Sequence, residues 1–231
     1  LNIMDKLSSL IEDYYKKQED ATYLCKIHDE IQQSSLTIQQ IQDLVQQMWN
    51  WQAIPAIFVH VIITSYSLFE YPETHQESSQ LKSLKSLIYL CAQFAENPQT
   101  VQEMISMRLP MYFFPILKSQ FAPSDIKSSI ICYFQILMKQ PDIIQYFLKN
   151  QLVSLLILEL GQIKSSTVHG CLLLLQLLVD KQLSYFTEPK RQEALTLTLR
   201  KFIQMAESLA RSDIQKNVSI AKSIMEKIQI E

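Results

Sequence analysis

Apolar positions between residues 87 and 94 set a pattern that returns down the chain. Leu87, Ile88, Leu90, Cys91 and Phe94 are followed 43 residues later by Ile130, Ile131, Tyr133, Phe134 and Leu137. A further 43 residues on, Leu173, Leu174 and Leu177 stand where Ile130, Ile131 and Phe134 stood. The intervening stretch obeys the same shift: Pro98 falls on Pro141, Val101 on Ile144, Ile105 on Leu148, Leu109 on Leu152 and Phe113 on Leu156. The spacing within each block is helical. A shorter, earlier match joins "IPAIFVHVI" (54–62) to "LPMYFFPIL" (109–117), separated by the acidic stretch "EYPETHQESS" (70–79).

A period of 43 built only from helical signals fits armadillo or HEAT-type repeats of about 40 to 47 residues. Each unit reads as a short helix opened by Asn-Pro or Gln-Pro, a second apolar helix, and a longer third one. Pro110 and Pro115 exclude a strand at 109–117, because neither offers an N–H to a sheet ladder. Pro110 is tolerated in a first helical turn, while Pro115 is expected to kink or shorten the helix. The expected fold is therefore all-α, an armadillo-like helical repeat solenoid forming one domain over 1–231. Its clearest repeats lie at about 80–181, and charged capping helices close both ends. Helices are expected at 3–18, 21–34, 37–49, 53–69, 80–95, 98–107, 110–118, 124–139, 142–149, 151–161, 166–180, 189–210 and 212–229.

Composition narrows the chemistry. Two glycines in 231 residues leave no material for phosphate loops, nucleophile elbows or hairpin-rich folds. Cys25, Cys91, Cys132 and Cys171 lack C-x-x-C spacing, which argues against zinc and a disulfide framework and for buried, reduced thiols in the cytoplasm or nucleus. His28, His60, His75 and His169 have no ligand spacing to one another, and no cofactor is expected. Adjacent carboxylates such as Glu12/Asp13 diverge on a helix and suit a solvated face rather than acid–base work. The uncharged run 52–69 falls short of a membrane span and reads as a core helix. The sequence starts at Leu1, so targeting is not readable from it. An enzyme of familiar type is not expected.

The net charge of −2 is unevenly spread, because residues 181–231 carry nine basic and six acidic side chains, +3 net. In "TEPKRQEALTLTLRKFIQMAESLARSD", Thr187 can cap a helix whose Leu195, Leu199, Phe202, Ala206 and Leu209 form an apolar stripe. At its start Lys190 and Arg191, with Tyr185 and Phe186, either border a partly apolar pocket or form a solvated helix start over inward-packed aromatics. His169 either packs or faces a groove between third helices. Of Trp49 and Trp51, which cannot share a helical face, one reads as core and the other as core or exposed anchor.

The stretches "MWNWQAIPAIFVHVIITSY", "LIYLCAQFAENPQTVQEMISMRLPMYFFPIL", "ILMKQPDIIQYFLKNQLVSLLILEL" and "STVHGCLLLLQLLVD" resemble, in order and spacing, the Rcd-type cell-differentiation family. Pro98, Thr100, Pro110, Phe113, Pro115 and Leu117 occupy the family's run, and the similarity covers about 45–187. The resemblance implies a non-enzymatic adaptor, the armadillo-repeat subunit of the CCR/NOT mRNA deadenylase complex. Such a subunit docks on the NOT-type scaffold and takes short peptide motifs of RNA-regulatory proteins in surface pockets; a basic groove for nucleic acid is also implied. Thr167, with Val168, then opens a groove helix, and His169, Tyr185, Lys190 and Arg191 are candidate partner-binding residues. The sequence "TEPKRQE" brings no tyrosine beside Lys190 and Arg191, and the family's C-terminal Asn-Pro-rich repeat is replaced by "DIQKNVSIAKSIMEKIQIE". Two other readings fit the same residues: a structural subunit of an unrelated assembly that kept the fold, and a nucleic-acid-binding solenoid using the basic C-terminal region.

Overall fold

The computed structural model describes residues 3–17, 22–50, 57–58, 61, 79–119, 122–161, 167–208 and 212–229. Every regular element among them is helical. The chain divides into two compact units, Leu1–Gln140 and Pro141–Glu231.

In the first unit, α1 (Ile3–Lys16) packs on α2 (Thr22–Gln33) and α3 (Ile38–Asn50), and α2 packs on α4 (Ser79–Phe94). Helix α4 lies against α7 (Ser124–Leu137). Between them in sequence run α5 (Pro98–Ser106), a 3-10 helix (Leu109–Phe113) and α6 (Phe114–Lys118). Asn97 starts α5 by accepting a 2.9 Å hydrogen bond from the Gln99 amide, and Pro98 occupies the first turn, where its missing N–H costs nothing. The buried Thr100 donates to the Asn97 carbonyl at 2.8 Å and also to that of Phe94, tying α5 back to α4.

Where one helix is expected over 110–118, two pieces occur. Pro115 has no N–H for the Met111 carbonyl, so an α-helix cannot run through from Leu109. The chain takes a 3-10 turn first and becomes α-helical at Phe114. Leu109 and Phe113 are fully buried there. Phe113 meets Tyr133 and Phe134 edge-on at centroid separations of 5.6 and 6.5 Å, and Phe114 meets Phe134 at 5.9 Å. The Tyr133 hydroxyl donates to Met104 Sδ at 3.2 Å.

The second unit holds α8 (Pro141–Lys149), α9 (Leu152–Leu160), α10 (Val168–Lys181), the short α11 (Leu183–Phe186), α12 (Pro189–Glu207) and α13 (Ser212–Gln229). Helices α8 and α9 meet at a 72° bend. Helix α10 packs against α9 and α13, and α12 pairs with α13. Among the described residues no single helix is long and apolar enough to cross a membrane.

The 43-residue period is visible in the backbone. Helix α8 starts 43 residues after α5, and α9 starts 43 after the 3-10 helix. Arg108 and Gln151, also 43 apart, are the two non-glycine residues with positive φ among those described, at 55° and 65°. Each ends a short helix and turns the chain sharply into the next, so the turn does without glycine by placing an ordinary residue in the left-handed region. That conformation costs an L-residue roughly 1–2 kcal/mol, partly offset by the entropy that glycine would lose on folding. Gln151→Gly is therefore expected to raise stability by up to about 1 kcal/mol, and Gln151→Val to lower it by at least that much. Urea melts of the two variants give opposite signs if the turn is strained as described.

Several expectations fall elsewhere. Cys91 and Cys171 are buried, and burial pushes the Cys91 thiol pKa up, but Cys25 is half-buried and Cys132 is exposed. Cys132 points outward because it sits midway between the buried Ile131 and Tyr133 on α7. Of the helix expected over 53–69, Ile57, Phe58 and Val61 are described, helical and buried. The rest, with His60, His75, Trp51, the acidic stretch and the side chain of Trp49, lies outside the described residues.

Candidate partner-binding site

The sequence-predicted site residues all belong to the second unit, and the structure separates them into three settings. Thr167 stands at the N-terminal boundary of α10, is buried (2% exposed), and donates to Glu159 Oε2 at 3.2 Å. Glu159, on α9, is itself buried, at 1% exposure. A carboxylate in such a place needs hydrogen-bond donors, and Thr167 supplies one. Thr167 therefore faces inward and presents no surface to a partner. The helical spacing of Leu152, Leu155, Leu156 and Leu160 puts Glu159 on the same buried face of α9, so its position, rather than its residue type, is the signal in the sequence.

His169, two residues on, is exposed, and its Nδ1 lies 2.8 Å from Asn217 Oδ1 on α13. The packed reading of this histidine is therefore not found; the ring is exposed, with its hydrogen bond made to α13. Leu173, Gln176 and Leu177 continue its side of α10 and are half-exposed, whereas Ile130 and Phe134, the residues 43 positions before the two leucines, are buried. The Asp180 carboxylate closes this side with an ion pair to Lys227 of α13.

The third setting is the corner between α11 and α12. Phe186 is buried and Tyr185 is half-buried, with their rings edge to face at 5.1 Å. The Arg191 guanidinium lies 3.9 Å from the Tyr185 ring centroid and pairs with Glu188 at 2.5 Å. Stacking on an aromatic face while holding a carboxylate fixes a guanidinium plane. Tyr185 and Arg191 are thus brought together, Phe186 takes the inward-packed alternative, and Lys190 beside them is exposed. Thr187 does not cap α12: Glu188 is the boundary residue, without a side-chain cap bond, and the Thr187 hydroxyl turns back toward the Ser184 carbonyl at 3.4 Å. The short helix α11 pulls Thr187 into its own last turn.

Within α12 the expected apolar stripe is buried at Leu195, Leu199, Phe202 and Ala206; Leu209 lies outside the described residues. A pocket of about 380 Å³ opens between α12 and the end of α13, lined by Gln192, Glu193, Thr196, Leu197, Arg200 and Gln229. Gln192 anchors it by donating its side-chain amide to the Ile228 carbonyl. None of these residues was singled out by sequence, because a polar pocket wall looks like any solvated helix face. Among the described residues no three His, Cys, Asp or Glu side chains gather as a metal site. The arrangement offers aromatic, cationic and aliphatic contact surfaces.

A search of curated proteins returns no match. The model of the cell differentiation family, Rcd1-like, matches residues 10–227. That span reaches into both compact units and takes in every element from α2 to α12, the second half of α1 and most of α13, so this chain belongs to the Rcd1-like cell differentiation family.

Proposed function

We propose that the chain is a non-enzymatic, protein-binding adaptor subunit of a CCR/NOT-type mRNA deadenylation assembly, built as a single armadillo-like solenoid over 1–231. Family membership over residues 10–227 is the observation that carries this reading. The return of the short-helix pair and its left-handed turn after 43 residues supports the repeat architecture. Repeats of this kind bury their apolar faces against neighbouring repeats and keep their outer faces for partners. Binding then comes from rigid, preformed helical surfaces that lose little entropy on docking. A NOT-type scaffold and short peptide motifs of RNA regulators are the partners, in the cytoplasm or nucleus, and no cofactor takes part.

The test is gentle affinity purification of the tagged chain from its own cells, with nuclease treatment and mass spectrometry of what remains bound. Recovery of a NOT scaffold with deadenylase subunits is the expected result. Recovery of a different stable complex would mean that the fold serves another assembly.

A further inference from the structure

Helix α12 has an outer face that its own packing does not use. Lys190, Ala194, Leu197, Lys201 and Met205 follow at intervals of three or four residues and are all exposed, which places them on one stripe. Leu197 is 53% and Met205 46% exposed. They stand two turns apart, about 12 Å along the axis. Arg191 and Glu207, at the two ends of α12, are held by Glu188 and Lys222. By contrast, Lys190, Arg200 and Lys201 make no ion pair among the described residues. The stripe therefore combines two aliphatic anchors with the uncommitted cations Lys190 and Lys201, and Arg200 flanks it on the pocket side near the exposed Glu193, which leaves the face net positive. Leu197 and Arg200 also form part of the wall of the pocket beside α13, which Gln192 holds in shape.

We propose that this face docks an acidic, amphipathic helical segment of a protein partner. Apolar side chains of the segment rest on Leu197 and Met205, and its carboxylates lie over Lys190, Arg200 and Lys201. Anchors two turns apart match the spacing by which amphipathic helices are read, and the charge on the stripe selects an acidic flank. A nucleic-acid backbone would use the cations but leave the aliphatic pair uncovered, and the exposed Glu193 in the pocket wall limits how close any anion comes to Arg200. This rests on the adaptor reading and narrows it to a surface and a partner chemistry.

Fluorescence anisotropy on the full chain tests it with three labelled probes. One is a helical peptide of about 20 residues with leucines two turns apart flanked by glutamates. The second carries lysines in place of those glutamates, and the third is a uridine oligonucleotide of similar length. The acidic peptide is expected to bind at least about tenfold more tightly than the lysine version. L197E/M205E is expected to abolish that binding, and R200E/K201E to reverse the preference between the peptides. All four side chains are exposed, so unchanged thermal melts certify the fold. No binding of the acidic peptide, indifference to both double variants, or tighter binding of the oligonucleotide would overturn the proposal. Scaffold recovery that persists in R200E/K201E, with no peptide binding by the native chain, removes this face and leaves the adaptor reading. Peptide binding without scaffold recovery does the reverse.

Discussion

Phe134→Ala lowers the melting temperature by about 10–15 °C, and Phe134→Leu by about a third as much. Phe134 is fully buried, and its ring meets those of Phe113, Phe114 and Tyr133 at centroid distances of 5.7–6.5 Å. Truncation to alanine leaves a cavity that these rings cannot fill without abandoning their edge-to-face geometry. Losses of this kind run about 3–5 kcal/mol, a large share of the 5–15 kcal/mol that holds a domain together. For a unit of this size each kcal/mol moves the transition by about 3 °C. Leucine refills most of the volume and forfeits mainly the aromatic contacts, so its cost is about 1–2 kcal/mol. Calorimetry on the three chains decides the matter. Equal, small shifts for both variants would mean that the aromatic cluster collapses around the gap and does not hold α6 to α7 in the way its geometry implies.

Phe134 also shows how far sequence reasoning reaches. Its place in the template, 43 residues after Cys91, identifies it as inward-facing, and both residues are fully buried. The same holds for Leu90 and Tyr133, and for Phe94 and Leu137. Leu177 continues the template by another 43 positions but is half-exposed. Periodicity reports which residues share a helix face; it does not report what covers that face. The stripe Leu195, Leu199, Phe202 and Ala206 was legible for the same reason, since helix spacing and burial coincide along α12. That Pro115 disturbs the helix was legible, because the missing N–H acts locally; that the segment before it becomes a separate 3-10 helix was not. The left-handed turns at Arg108 and Gln151 were not, since neither residue type signals positive φ. Candidate site residues fared unevenly for a related reason. Tyr185 and Arg191 are six positions apart and meet through one short helix, whereas the partners of Thr167 and His169 lie on other helices, at Glu159 and Asn217.

Thr167 bears the second large effect, and it separates a structural role from a surface one. A threonine just before an apolar helical run ordinarily reads as an N-cap, its hydroxyl accepting from an amide in the first turn. Here the hydroxyl makes no such cap bond and donates instead to a carboxylate that is 1% exposed. Thr167→Val keeps the shape and withdraws the hydroxyl from a buried carboxyl group, and removing one partner of a buried hydrogen bond costs about 1–3 kcal/mol. The valine variant is therefore expected to lose about that much in urea melts, while Thr167→Ser, which keeps the hydroxyl, retains most of it. An outward-facing threonine would tolerate valine within about 0.5 kcal/mol. The companion measurement is partner recovery by the folded fraction of Thr167→Val. Unchanged recovery together with lowered stability assigns Thr167 to the join between α9 and α10. Lost recovery at unchanged stability would return it to the binding surface and require the Glu159 contact to open when a partner docks.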